Sequence, residues 1–144
     1  MSVVGEQQRA IIEARAARRC EYCHLPVAGQ VARFPVDHII PRNSGGQTIM
    51  ENLALICPHC NGHKWAHTEG IDPNTHEAAA LFNPRRQVWS EHFQWSKQEN
   101  VIIEGKTTCG RATIARLQIN HPDMIAVRRL LVALGIFAAV NDSG

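Results

Sequence analysis

Two Cys-x-x-Cys pairs, Cys20-Glu21-Tyr22-Cys23 and Cys57-Pro58-His59-Cys60, constrain this chain more than any other feature. A fifth cysteine, Cys109, stands alone. An odd count built around two pairs argues against a disulfide framework and for a metal site with a spare thiol. Four thiolates form a closed tetrahedral site, which zinc accepts without ligand-field preference and which leaves no open position. Cys20, Cys23, Cys57 and Cys60 are therefore read as ligands of a structural Zn²⁺. His24 and His59 lie beside the pairs and could substitute, although four Cys suffice. Cys109 is read as structural rather than reactive. The 33 residues between Cys23 and Cys57 exceed the spacing of a simple zinc ribbon and leave room for a strand and a loop. The metal would tie the first knuckle to the helix that opens at Cys57-Pro58, linking folding to zinc binding.

That intervening stretch holds Asp37-His38-Ile39-Ile40-Pro41 and then Asn52-Leu53-Ala54-Leu55-Ile56, and Asn61 directly follows Cys60. A lone His on a strand is ordinarily a satisfied core residue. His38 stands beside a carboxylate, and a neutral imidazole near pH 7 can take a proton from water. Asp37 and Asn61 carry oxygen donors that suit a hard divalent cation such as Mg²⁺ or Mn²⁺. Asn61 falls near the start of a helix, whose partly positive end favours phosphate; its plainer role is a solvated first-turn amide. His63 is the second choice of ligand on that helix. Lys64 shares a face with Asn61 at i, i+3 and could contact phosphate. His67 and His76 are read as surface residues. The whole set points to metal-dependent hydrolysis of a phosphodiester.

From Arg15 to about Lys64 the chain resembles the HNH endonuclease family, whose nuclease core is a ββα-metal unit. The likeness includes the lead-in from Arg15 to Cys23 and the loop Pro41-Arg42-Asn43-Ser44-Gly45-Gly46. Many members have His directly after the last Cys; Asn61 makes this chain similar to the His-Asn-Asn variant, also seen in CRISPR effector nucleases. The resemblance implies DNA as partner, His38 as general base, Asp37 and Asn61 on the catalytic ion, and Asn52 as a structural residue that ties down the loop. It also implies metal and base on opposite sides of the scissile phosphate. On a regular strand Asp37 and His38 point to opposite faces. Either the strand bends or bulges between Pro35 and Pro41, or both faces border the phosphate. One site cuts one strand, so a double-strand cut needs a homodimer or repeated action. The alternative function is a catalytically inactive, zinc-stapled nucleic-acid-binding module. A purely scaffolding zinc protein would explain the cysteines but not the Asp-His pair.

The expected fold class is α+β: a zinc-stapled ββα-metal core over residues 1–68, with a hairpin and two helices over residues 75–144 as an extension that can pack on it. A bare ββα unit is too small to bury much core, which makes a metal staple apt. Glu6 to Ala17 reads as a helix and Val31 to Ile40 as strand-like. Leu53 to Ile56 reads as a buried strand, and Cys57-Pro58 opens a helix to about His67. Thr68 to Pro73 reads as a linker, with Gly70 and Asp72-Pro73 as breakers. Glu91 to Trp95 and Val101 to Glu104 can form a hairpin. Thr107 or Thr108 caps a helix to Leu117, and Asn120 with Pro122 and Asp123 starts another to Leu134 with Met124, Val127, Leu130, Leu131 and Leu134 as its buried stripe. Trp89, Phe93 and Trp95 read as local core, with base stacking as the alternative. Leu81 to Trp95 resembles a segment of bacterial stand-alone HNH proteins, without an assignable role.

The formal net charge of +2 says little about partners, but 12 Arg against 3 Lys suits bidentate phosphate contact as well as ordinary Arg-rich composition. Arg85, Arg86, Arg111, Arg116, Arg128 and Arg129 are the candidates for DNA backbone. Met1 to Glu6 carries no basic n-region and no apolar h-region follows, so no secretory leader is expected. The apolar run from Leu130 to Val140 is too short to span a bilayer. A soluble, cytoplasmic setting without membrane contact is expected.

Overall fold

The computed structural model describes residues 4–141, so the leader-free start read at Met1 to Glu6 lies partly outside the described residues. Helix α1 (Glu6–Arg15) begins where Gly5 donates its amide to the Gln8 side chain at 3.3 Å. Glu6 in its first turn and Arg15 in its last complement the helix dipole. Its inner face buries Ile12 and Arg9, and the Arg9 guanidinium donates to the Phe34 carbonyl. From the other end, Arg15 reaches the carbonyls of Met50 at 3.0 Å and Leu53 at 2.6 Å. The first knuckle then closes as Cys20 donates its amide to the Leu25 carbonyl at 2.8 Å.

Strands β1 (Val36–His38) and β2 (Leu53–Leu55) pair antiparallel, with Asp37 opposite Ala54. The stretch read as strand-like at Val31 to Ile40 is a strand only in those three residues, because β2 is equally short. Helix α2 (Pro58–Lys64) starts where the Cys57 Sγ accepts the Cys60 amide at 3.4 Å, with Pro58 in the first turn. It ends before the expected His67. The Lys64 side chain turns inward, and Trp65 leaves the helix at φ 45° and ψ −120°.

The linker read at Thr68 to Pro73 is instead part of a hairpin: β3 (Glu69–Ile71) pairs with β4 (Ala78–Ala80). Gly70 serves close approach rather than a chain break, since a Cβ there would stand 2.8 Å from the Ala112 carbonyl oxygen. Asp72 shapes the turn, accepting from the Asn74 amide at 2.8 Å and the Thr75 hydroxyl at 3.1 Å. The single-turn helix α3 (Trp89–His92) leads into β5 (Phe93–Trp95), which pairs with β6 (Ile103–Gly105). Thr107 caps α4 (Thr108–Leu117) by accepting the Gly110 amide at 3.0 Å. His121 and Pro122 open α5 (Pro122–Ala133).

The stripe expected on α5 is corrected at three positions. Leu130 and Leu134 are exposed, while Arg128 is fully buried beside Met124 and Leu131. Its guanidinium donates to the carbonyls of Val101 at 2.7 Å and Ile119 at 3.1 Å and to the Asn120 side-chain oxygen at 3.1 Å, so every arm has a partner inside. One hydrophobic cluster runs through α1, the four paired Cys, β2, Phe82, β5 and α5 to Phe137. Trp89 Nε1 donates to the Tyr22 carbonyl at 2.8 Å, and Arg85 pairs with Glu21, so the later elements lie against the first knuckle. Among the described residues, no helix is long and apolar enough to cross a membrane. The architecture is α+β with short hairpins and helices around a four-Cys core, as the sequence implies.

Candidate active site and zinc centre

The four paired cysteines meet. Their Sγ atoms lie within 4.8 Å of one another, and all four side chains are fully buried. Among the described residues this is the one group of three or more His, Cys, Asp or Glu side chains gathered closely enough to hold an ion. Hydrogen bonds from neighbouring sulfurs, with burial, push the Cys57 and Cys60 thiols up, while bonds from Cys20, Cys57 and Cys60 pull Cys23 down. Four buried thiols this close repel one another as thiolates, and a bound dication would let all four ionise together. The donor set fits a closed, structural zinc. Cys20 and Cys23 come from the knuckle and Cys57 and Cys60 from the start of α2, so the site fixes the helix that carries Asn61.

Asp37, His38 and Asn61 line one cleft of about 420 Å³, together with Arg42, Asn43 and Trp65. The β1–β2 ladder runs without a bulge from Val36 to His38. Asp37 is buried and His38 half-buried, yet both reach the cleft. His38 Nε2 lies 2.8 Å from the Thr48 hydroxyl, and Nδ1 has no partner among the described residues. Burial, helped by the nearby Arg42 guanidinium, pushes the imidazole down and favours its neutral form.

Asp37 is only 5 % exposed. Its Oδ2 accepts the Tyr22 hydroxyl at 2.8 Å and lies 3.1 Å from Lys64 Nζ. Burial pushes the Asp37 carboxyl up, against the pull of the Lys64 ammonium and the Tyr22 hydroxyl. Burial and the Asp37 charge push Tyr22 well up, which keeps its hydroxyl a donor. Lys64 does not reach out to phosphate as expected. It is 1 % exposed, and Nζ also donates to the carbonyls of His38 at 3.3 Å and Ile39 at 3.1 Å. The i, i+3 spacing gives a shared side of the helix, but Lys64's long stem carries its ammonium inward beneath β1.

Asn61 is half-buried, and its side chain has no hydrogen-bond partner among the described residues. Asn52 stands outside the cleft. Its amide accepts from the Ile40 amide at 2.9 Å and donates to the carbonyls of Ile40 at 3.0 Å and Gln47 at 2.9 Å. These bonds close the loop that carries Thr48. The same loop needs Gly46, where a Cβ would fall 1.7 Å from the Ile40 carbonyl oxygen. His63 is exposed and stands beside His59, with ring centroids 4.4 Å apart, rather than in the cleft.

Thr48, Tyr22 and Trp65 are the residues around the site that the sequence reading passes over. Nothing local marks Thr48 or Tyr22. Trp65 carried a signal, an aromatic side chain at the polar end of a short helix. Among the Arg candidates for DNA, Arg128 is corrected, because it is buried and fully bonded. Arg111 pairs with Asp72 and Arg129 with Glu99. Arg15, Arg85 and Arg86 line a second cleft. Phe93 and Trp95 are buried, and Trp89 stacks on His24 at 4.0 Å, so these three rings are local core rather than a platform for bases.

Comparison with known proteins agrees with this geometry. The family model of the HNH endonuclease matches residues 20–66. The Septu protein PtuB of Bacillus thuringiensis is 26 % identical over 116 residues, which cover 79 % of this chain and 41 % of that protein. The chain thus spans about two fifths of the length of that relative. No solved structure matches the chain. The matched span holds all four zinc-site cysteines and the whole Asp37–His38–Asn61 cleft, so residues 20–66 match the model of an HNH endonuclease domain.

Proposed function

We propose that this chain is a divalent-metal-dependent DNA endonuclease that hydrolyses phosphodiester bonds with His38 as general base. The observation that carries the reading is His38: braced at Nε2 by Thr48, unpartnered at Nδ1 and favoured as the neutral imidazole, in one cleft with Asp37 and Asn61. Such a nitrogen can take the proton of a water attacking phosphorus. Asn52, through the loop it closes, is a positioning residue for His38. Asp37 and Asn61 would hold Mg²⁺ or Mn²⁺ with a carboxylate and an amide oxygen. The donors fit. The Asn61 amide is uncommitted, and because Lys64 Nζ lies 3.1 Å from Asp37 Oδ2 and 3.2 Å from Oδ1, an ion would share that carboxylate through its remaining lone pairs. When bound, such an ion offsets charge on the phosphate and on the leaving oxygen.

DNA as substrate rests on the family of the matched domain. A double-strand cut would take a homodimer or a second round of cleavage. Five free cysteines and a thiolate zinc site suit a reducing, cytoplasmic compartment. A second reading, an inactive zinc-stapled nucleic-acid-binding module, draws on Asp37, whose carboxylate is already held by Lys64 and Tyr22. Plasmid nicking with Mg²⁺ or Mn²⁺ separates the two. Wild-type protein should nick. His38→Ala should nick on the order of 10²–10⁴-fold more slowly, with DNA binding and zinc content unchanged. Near wild-type nicking by His38→Ala refutes the base, and inert wild-type protein that still binds DNA favours the second reading.

A further inference from the structure

Trp65 is 76 % exposed, and it lines the same cleft as His38 and Asn61. Its φ of 45° is unusual for a bulky aromatic residue. An outlier of this kind persists where the surroundings impose it, and such outliers gather at functional sites. Here Lys64 is anchored beneath β1 and the Trp65 amide bonds the Asn61 carbonyl at 2.9 Å, so the chain turns sharply and the indole stays at the cleft. The ring contact it makes is with His67, nearly perpendicular at 74°, and its indole N–H has no partner among the described residues. Arg42 belongs to the same cleft, exposed and without an ion pair among the described residues.

We infer that Trp65 is a stacking platform for an unpaired nucleobase next to the scissile phosphate, with Arg42 taking a neighbouring backbone phosphate. The inference rests on the nuclease reading and specifies the strand form of its substrate. In a continuous duplex both faces of each base are covered by neighbours, so an indole meets a base face only where the strand is single, frayed or extruded. An apolar protein segment is a poor occupant. It would bury Asp37, His38, Arg42, Asn43 and Asn61 without partners, whereas a nucleotide offers a π-face, polar edges and a phosphate together. The substrate is thus DNA that is unpaired at the cut.

The test uses the full zinc-loaded chain with Mg²⁺ and with His38→Ala to stop cutting. Three probes are titrated: a single-stranded oligodeoxynucleotide, the same sequence as a blunt duplex, and that duplex with a central unpaired bubble. Trp95 is only 3 % exposed and Trp89 is partly covered, so quenching of tryptophan fluorescence reports chiefly on Trp65. The single strand and the bubble should quench, and the blunt duplex should not. Adding Trp65→Ala should abolish the quench and weaken binding to the single strand and bubble by about 5- to 150-fold, the range for stacking of one base. Trp65→Phe should keep most of that affinity while losing the signal. Equal quenching by the blunt duplex, or unchanged affinity in Trp65→Ala, overturns the inference. Cutting of the single strand and the bubble by the wild-type chain is scored separately. Cutting without a Trp65 effect sinks this inference alone and leaves the indole to a protein partner. A Trp65-dependent quench without cutting keeps Trp65 as a stacking platform for unpaired DNA, but it sinks the endonuclease reading and with it the placement beside a scissile phosphate.

Discussion

Lys64 is a cation taken out of water and set 3.1 Å from the buried Asp37 carboxylate. Two charges so deeply placed lose most of their hydration, and their attraction together with the extra bonds to Tyr22, His38 and Ile39 offsets that loss. The pair is worth little as a whole but much to break. Lys64→Met keeps the stem and deletes the ammonium, leaving Asp37 as a lone buried charge. We expect it to lower the stability of zinc-loaded protein by about 3–5 kcal/mol in urea unfolding. Adding Asp37→Asn should recover most of the loss, since no charge then remains inside. A Lys64→Met cost below about 1 kcal/mol would mean that the pair behaves as a solvated surface bridge. For the proposed chemistry, the same ammonium holds the Asp37 carboxylate in place before any ion arrives.

At the level of elements, the β3–β4 hairpin shows what packing adds to local pattern. β3 lies so near α4 that a Cβ on Gly70 would also come within 3.1 Å of the Arg116 Cβ, besides its clash with the Ala112 carbonyl. Gly70→Ala forces a strand and a helix apart through backbone contact that no rotamer change relieves. It should cost about 1–3 kcal/mol, read as a lower midpoint of thermal unfolding. An unchanged midpoint would place β3 away from α4. Features that depend on neighbours in sequence were legible from the residues: the two Cys pairs, the Thr107 cap, Pro122 at the start of α5, and the Asp37–His38 and Asn61 set. Features that depend on distant partners were not. Gly70 looks the same whether it breaks a chain or admits a helix. Lys64 and Arg128 look like surface cations until the carbonyls that receive them come into place from other elements. The strand-like stretch at Val31 to Ile40 is longer than the strand it holds, because strand length is set by β2. Thr48 joins the cleft through a loop closure that has no local signature, and Trp65 through a helix end whose one local mark is an aromatic side chain at a polar terminus.

Across the whole molecule the zinc cage sits within one hydrophobic cluster, not in a satellite of it. The cluster that contains Cys20, Cys23, Cys57 and Cys60 also contains Phe93, Trp95, Leu117, Met124 and Leu131 from the later elements. His59, between two zinc-site cysteines, lies with Nε2 2.8 Å from the Gln118 carbonyl just past α4. Structural zinc of this kind contributes about 10–16 kcal/mol of apparent binding free energy near neutral pH. That is as large as the entire stability of an ordinary domain, about 5–15 kcal/mol. Purified protein should therefore carry one zinc per chain by elemental analysis. Chelation under reducing conditions should unfold α4 and α5 together with the ββα core, in a single transition by far-ultraviolet circular dichroism. Cys57→Ser should do the same without chelator, since it removes a zinc ligand although its hydroxyl can still cap α2. If α4 and α5 kept their helical signal after zinc was removed, the later elements would have a core of their own and the shared cluster would not be what holds them. A zinc-free preparation with full nicking activity and an intact melting curve would remove the metal from the fold altogether.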